Sequence, residues 1–185
     1  ICKTINCIDN ELDIIKYSKD WRGRINDKAL CVVFPKNEYE ISKILKFCYD
    51  NDIKVIPQGG NTNLVASASP SKEKKEIIIN MEKINQIHHI DILNKCVEVD
   101  AGVKIDDLNT SLEKDGFLFP LEMASTGSSQ VGGVISTNAG GINVLHYGSV
   151  RNNLLGLDVV LSNGKILRLG SKVVKDNTGY NLKDN

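Results

Sequence analysis

The chain has 185 residues, with 23 lysines and arginines set against 23 aspartates and glutamates, a formal net charge of zero. That length and balance fit one medium-sized globular domain or two small lobes with room for a core, and exclude the basic field of a nucleic-acid or membrane-surface binder. No apolar run approaches a membrane span and the first residues are too mixed for a signal peptide, so the expected setting is the cytoplasm.

The chain opens on Ile1 rather than methionine, which puts the expected true N-terminus upstream. Residues 1–29 offer no clear element and are read as a lead-in. Leu30 to Phe34 is then a short apolar strand ended by Pro35. Asn37 begins a helix with Glu40 three residues on, the spacing of a capping box, and Ile41, Ile44, Leu45 and Cys48 recur on one helical face. After Asn51-Asp52 a second strand starts at Lys54. Strand, helix and strand in so few residues imply a parallel crossover, with the segment after the second strand at the carboxyl edge where open α/β sheets bind ligands.

That segment is the centre of the sequence. Val55-Ile56 runs into Pro57-Gln58-Gly59-Gly60-Asn61-Thr62-Asn63-Leu64-Val65, glycines and small polar residues directly after an apolar strand. Glycine admits positive φ and lets successive main-chain N–H groups converge on an anion, so a phosphate is expected here. Asn and Thr side chains add groups that close the turn. A second stretch, Gly127 to Gly141, repeats the mixture, with glycine pairs at Gly132-Gly133 and Gly140-Gly141. Neither spells a Lys-type phosphate loop or a G-x-G-x-x-G fingerprint. One glycine pair alone reads as an ordinary turn; two, each beside an apolar run, suggest one long ligand gripped twice.

Between and after these stretches, Lys72 to Glu76 reads as a solvated charged loop, and Glu76 to Asn80 as a third strand. Gln86 to Ile92 and Cys96 to Asp100 form two strands around a tight connection. Ile105, Leu108 and Leu112 mark a helix stopped by Gly116, and Val131 to Asn138 a short helix. Gly156 to Leu161 pairs with Lys165 to Leu169 across Asn163-Gly164, a strong hairpin signal. Cys2, Cys7, Cys31, Cys48 and Cys96 lack paired metal spacing. They read mainly as reduced thiols, the last three as small core residues, although Cys2 and Cys7 can be argued into a pair. His88-His89, on opposite faces of a strand, cannot share a metal, and His146 stands alone.

Four ordered strings, VIPQGGNTNLV, PLEMASTGSSQVGGVISTNAGG, LHYGSVRNNLLGLDVVLSNGKIL and KDNTGYNLK, resemble the PCMH-type FAD-binding domain of the FAD-linked oxidases. The nearest likeness is to the D-2-hydroxyacid dehydrogenase branch: D-lactate and D-2-hydroxyglutarate dehydrogenases and the glycolate oxidase large subunit. The resemblance runs from about Asp20-Trp21 to the last residue. It implies an α+β fold of two lobes, a small parallel βαβ lobe over about 30–85 and a larger, mainly antiparallel lobe over about 86–185, with FAD extended between them. Pro57, Gln58, Gly59, Gly60, Asn61, Thr62, Asn63 and Leu64 would hold the pyrophosphate. Pro120, Gly127, Ser128, Gly132, Gly133, Ser136, Asn138, Ala139 and Gly140 would line the remainder, with Tyr147 and Gly148 near the flavin ring.

Relatives that bind flavin covalently do so through a histidine after the glycine pair; Asn61 stands there, so dissociable FAD is expected. The loop departs from its relatives at Asn63 and at Ala66-Ser67, where they carry glycine; an alanine forced to positive φ costs about 1–2 kcal/mol. The expected activity is oxidation of a D-2-hydroxy acid by hydride transfer to flavin N5. The relatives' substrate domain, which supplies catalytic residues, is expected to be absent, leaving the lobe C-terminally incomplete. The chain is then a truncated piece, or pairs with a separately encoded C-terminal half or with itself. Only Asp176 and His146 are loose candidates for a proton acceptor. The alternatives are a non-catalytic binding module of the same fold and a flavin reductase of peptidoglycan precursor synthesis.

Overall fold

The computed structural model describes residues 5–25, 27–71, 75–175, 177 and 179–184. The chain divides into two compact units, Ile1–Ile84 with Val160–Lys165, and Asn85–Val159 with Ile166–Asn185.

The first unit is built on a sheet in the order β1-β2-β4-β3, from β1 (Cys7–Ile8), β2 (Val32–Val33), β3 (Lys54–Gln58) and β4 (Glu76–Asn80). β4 runs parallel to both β2 and β3, and β1 is an antiparallel edge. Every residue of β4 is buried, because the sheet is covered on both faces. Ile78 packs with Val32, Ile56 and Ile14 on one face; Ile77 and Ile79 pack with Val33, Ile44 and Cys48 on the other. Each such isoleucine contributes about 1.5–3 kcal/mol by burial, so Ile78→Ala would cost about 2–5 kcal/mol. Glu76, where the charged run and the third strand read from sequence meet, falls to the strand: it is buried in β4, and its carboxylate accepts the Ser71 N–H at 2.6 Å. Lys72 to Lys74 lie outside the described residues.

Two helices cover that sheet. α2 (Glu38–Asp50) starts at Asn37, whose side chain accepts the Glu40 N–H, while the Glu40 carboxylate accepts from Lys36 rather than completing a reciprocal box. It stops in a left-handed closure: Asp52 has φ 50° and the Ile53 N–H donates back to the Cys48 carbonyl at 2.9 Å. The sequence reading assigned nothing before residue 30, but α1 (Glu11–Ser18), capped by Asn10, lies there and buries Ile14 and Ser18. Eight residues with only two buried positions give a weak periodic signal.

In the second unit β5 (Ile87–Asp91) and β6 (Cys96–Val99) form an antiparallel pair with a bulge between Ile87 and His89. α3 (Ile105–Glu113) lays Leu108 and Leu112 on that pair, against Ile90 and Val97. Ile105 turns the other way, to Val134 of α4 (Val131–Ser136) and Val150 of α6 (Val150–Asn153). α5 (Val144–Tyr147) lies between α4 and α6 in the chain. β7 (Gly156–Val160) and β8 (Ile166–Gly170) form a separate two-stranded sheet. Their turn is a three-residue connection with Gly164 at φ 82° and paired Leu161 and Lys165. Among the described residues no helix is long and apolar enough to cross a membrane.

Candidate cofactor-binding site

The two glycine-bearing segments fall in different units and are described in turn. In the first unit β3 delivers the chain to Gly59 at its carboxyl end, beside β4. Among the described residues the N–H groups of Gly59, Gly60 and Asn61 find no acceptor within the chain. These three successive donors are what an anion cradle requires. The positive φ angles of the loop belong to Asn61 (51°) and Ala66 (56°), not to a glycine as the sequence suggests. Asparagine tolerates that region; alanine is strained in it.

The loop is held by side-chain hydrogen bonds. Gln58, 2% exposed, donates from Nε2 to the Tyr17 carbonyl (2.7 Å) and the Ala68 carbonyl (2.9 Å) and accepts at Oε1 from Asn80 (3.1 Å). Its polar capacity is committed to bracing the two ends of the loop. Asn61 donates from Nδ2 to the Lys19 carbonyl at 2.7 Å, which fixes its amide orientation and leaves Oδ1 buried without a partner. Asn63 accepts the Ser67 N–H at 2.9 Å and closes the outer turn. Leu64 and Val65 stand exposed at the tip, and Pro57 is exposed as well.

Residues 17–20, which receive two of these bonds, are set by Asp20. Its Oδ1 accepts the N–H groups of Arg24 (2.6 Å) and Ile25 (2.8 Å), and Oδ2 that of Arg22 (3.3 Å). The Ile25 N–H above all holds this carboxyl below its ordinary 3.8, against the opposing effect of burial.

In the second unit the glycines divide by purpose. A Cβ on Gly132 would lie 2.8 Å from the Ala101 Cβ, and its N–H is spent on the Ala101 carbonyl at 2.8 Å. Gly141 has less room still, 2.2 Å from the Glu122 carbonyl. These two are required by packing. Gly133, by contrast, meets nothing within 4 Å, and the Gly140 N–H finds no acceptor among the described residues. Ser136 is turned back on its own helix, donating to Gly132 and Gly133, and Ser128 spends its N–H on Ser125. Asn138, at φ 46°, accepts the Arg151 N–H, and the Ala139 carbonyl accepts that of Val150, which ties the end of α4 to α6. Pro120 sits in a tight turn closed from Leu121 to Phe119. Gly127 has the Asp106 carboxylate beside it. Tyr147 is half exposed with the His146 ring on its edge, and Gly148, at φ 77°, ends α5 with no space for a side chain beside Asn152.

Of the loose proton acceptors, His146 is exposed on α5 and Asp176 lies outside the described residues. His88, exposed on β5, meets Asp100 at 2.7 Å. Cys31 and Cys48 are buried free thiols and Cys96 a half-buried one; the Cys2–Cys7 pairing falls on a residue outside the described set. Sequence reasoning missed the local Asp20 turn, and it missed the inward commitment of Gln58 and Asn61 because their acceptors at Tyr17 and Lys19 lie some forty residues away.

Each segment presents open backbone: in the first unit the Gly59, Gly60 and Asn61 amides without an acceptor among the described residues, in the second the unobstructed Gly133 and the Gly140 amide, likewise without one among them. The family described as FAD binding domain matches residues 29–170. D-2-hydroxyglutarate--pyruvate transhydrogenase DLD3 of Saccharomyces cerevisiae is 39% identical over 92% of this chain and 34% of its own length. A probable mitochondrial D-2-hydroxyglutarate dehydrogenase of Oryza sativa subsp. indica is 40% identical over 89% of this chain and 29% of its own. The chain thus spans about a third of the length of these relatives. Alkyldihydroxyacetonephosphate synthase shares the fold with a TM-score of 0.83 at 21% identity, over 96% of this chain and 34% of that one. The cytoplasmic setting expected from sequence is corrected by these relatives, since the rice enzyme is named as mitochondrial. With three quarters of its residues inside the family match, the chain belongs to the FAD binding domain family.

Proposed function

We propose that this chain is the FAD-binding portion of an enzyme oxidising a D-2-hydroxy acid of the lactate, glycolate or 2-hydroxyglutarate type. The observation that carries the cofactor half of this reading is the run of three N–H groups, Gly59 to Asn61, at the carboxyl end of β3 with no acceptor among the described residues. A diphosphate placed there gains charge-assisted hydrogen bonds of about 1.5–3 kcal/mol each. The substrate class follows from the names of the relatives, which also favour it over the peptidoglycan precursor reductase.

In this reading Gly59, Gly60, Asn61, Thr62, Asn63 and Leu64 hold the pyrophosphate by main chain, between Pro57 and Gln58 on one side and the exposed tip on the other. Gly127, Ser128, Gly133, Asn138, Ala139 and Gly140 line the rest, Pro120, Gly132 and Ser136 shape that wall, and Tyr147 and Gly148 stand near the ring. Flavin, when bound, supplies the hydride acceptor. Asn61 in place of a linking histidine makes the cofactor dissociable. The proton acceptor and the groups that grip a substrate carboxylate come from a further part of the polypeptide, a separately encoded half or a second copy.

Titration of the purified chain with FAD, followed by flavin fluorescence, should show saturable binding, and acid precipitation should leave the flavin in the supernatant. A chain that ignores FAD would leave the fold without this function. Turnover of D-lactate, glycolate or D-2-hydroxyglutarate with a dye acceptor should be absent for the chain alone; robust turnover would overturn the assignment of catalytic groups elsewhere.

A further inference from the structure

The turn at Lys19–Ile25 lies outside the proposed cofactor contacts yet is bonded to the glycine loop. Asp20 gathers three main-chain N–H groups on one carboxylate and so fixes the chain just after α1. The carbonyl of Lys19, next to it, accepts the Asn61 side-chain amide at 2.7 Å, and the Tyr17 carbonyl accepts that of Gln58 at 2.7 Å. Both contacts reach the glycine loop at its start, on either side of Gly59-Gly60. Asn61 sits at φ 51° with this tether, and its own N–H is one of the three without an acceptor among the described residues.

We propose that Asp20 is a positioning residue of the cofactor site: through the Lys19 carbonyl and the Asn61 side chain it sets the direction of the loop amides that receive the diphosphate. The inference rests on the proposed FAD site and adds a residue that touches neither cofactor nor substrate. The physical argument is one of pre-organisation. A loop whose donors are aimed before binding loses less freedom when the anion arrives. Without the Asp20 turn the Lys19 carbonyl is free to move, Asn61 loses its acceptor, and the donors must be reassembled by the ligand.

The test compares FAD with riboflavin, which has the ring but no diphosphate, on the full chain. Asp20→Asn removes the charge that organises the turn. Asn61→Gly removes the tether alone, since glycine adopts φ near 51° without strain and keeps the fold if the aspartate variant does not. In both, the preference for FAD over riboflavin should fall about tenfold, corresponding to one lost charge-assisted contact, with riboflavin affinity unchanged. An unchanged preference, or equal weakening of both ligands, overturns the positioning role. Failure of the unaltered chain to bind FAD would instead defeat the cofactor reading, and this inference with it.

Discussion

Gln58 and Asn80 sit side by side in register at the ends of β3 and β4, and the Asn80 amide donates to the Gln58 Oε1 at 3.1 Å in a setting almost closed to water. The Gln58 amide in turn serves two carbonyls on the first and second approaches to the loop. Replacing it by glutamate keeps the shape but removes both donors and sets a carboxylate against the Tyr17 and Ala68 carbonyls. Gln58→Glu should destabilise the chain by about 2–4 kcal/mol at neutral pH, more than Gln58→Ala, as buried polar groups lose their partners. Urea unfolding of the two variants decides it; equal or smaller loss in the glutamate would mean the bracket is not formed.

Ala66 occupies the left-handed region, with φ 56°. Ala66→Gly relieves about 1–2 kcal/mol of strain and adds roughly 0.5–1 kcal/mol of chain entropy cost. The net expectation is a small gain, about 0.5–1 kcal/mol, read as a higher urea midpoint with unchanged slope. A loss would show that the strain is absent in solution.

Gly132 and Gly133 are neighbours with opposite expectations. Gly132→Ala forces a Cβ to within 2.8 Å of Ala101 and should destabilise the second unit. Gly133→Ala meets no atom and should stabilise α4 by up to about 1 kcal/mol on helix propensity, yet weaken FAD binding if the open backbone faces the cofactor. Thermal melting beside FAD titration separates the two; tighter or equal FAD binding by the alanine variant at 133 would remove that residue from the site.

Burial pushes the Cys48 thiol up to about 11 from its ordinary 9.0, with the neighbouring Cys31 acting in the same direction. Burial raises Cys31 too. Because the unfolded thiols ionise first, stability tied to these groups is intact below pH 9 and is lost as pH climbs toward 11. Residue-by-residue mass mapping with a thiol reagent at pH 8 should label Cys96 rapidly, and Cys31 and Cys48 only in denaturant. Fast labelling of Cys48 in the folded chain would contradict its place in the core.

Much of the architecture was legible because the strands carry their pattern locally: Ile77-Ile78-Ile79 needs two covered faces, and Asn37 with Glu40 announces α2. The two glycine-bearing stretches were legible as segments, not as mechanisms. Glycine composition says that backbone can approach something; it does not say whether the something is a ligand, as open space suggests at Gly133, or the Glu122 carbonyl, as at Gly141. Likewise Gln58 and Asn61 read as ligand groups in a loop of small polar residues, because their acceptors at Tyr17, Lys19 and Ala68 are determined by tertiary folding alone. α1 was missed since its helical face is narrow and its partner strands lie far ahead in the chain.

The first unit includes the tip Val160–Lys165, where the Ser42 hydroxyl donates to the Gly164 carbonyl at 2.6 Å and Gly164 leaves no space for a side chain. A ribosome therefore delivers the sheet and both its helices long before it delivers the residues that finish the same unit. Until the last of them emerges, the Ser42 hydroxyl on α2 lacks the acceptor that ties it to the rest of its own unit.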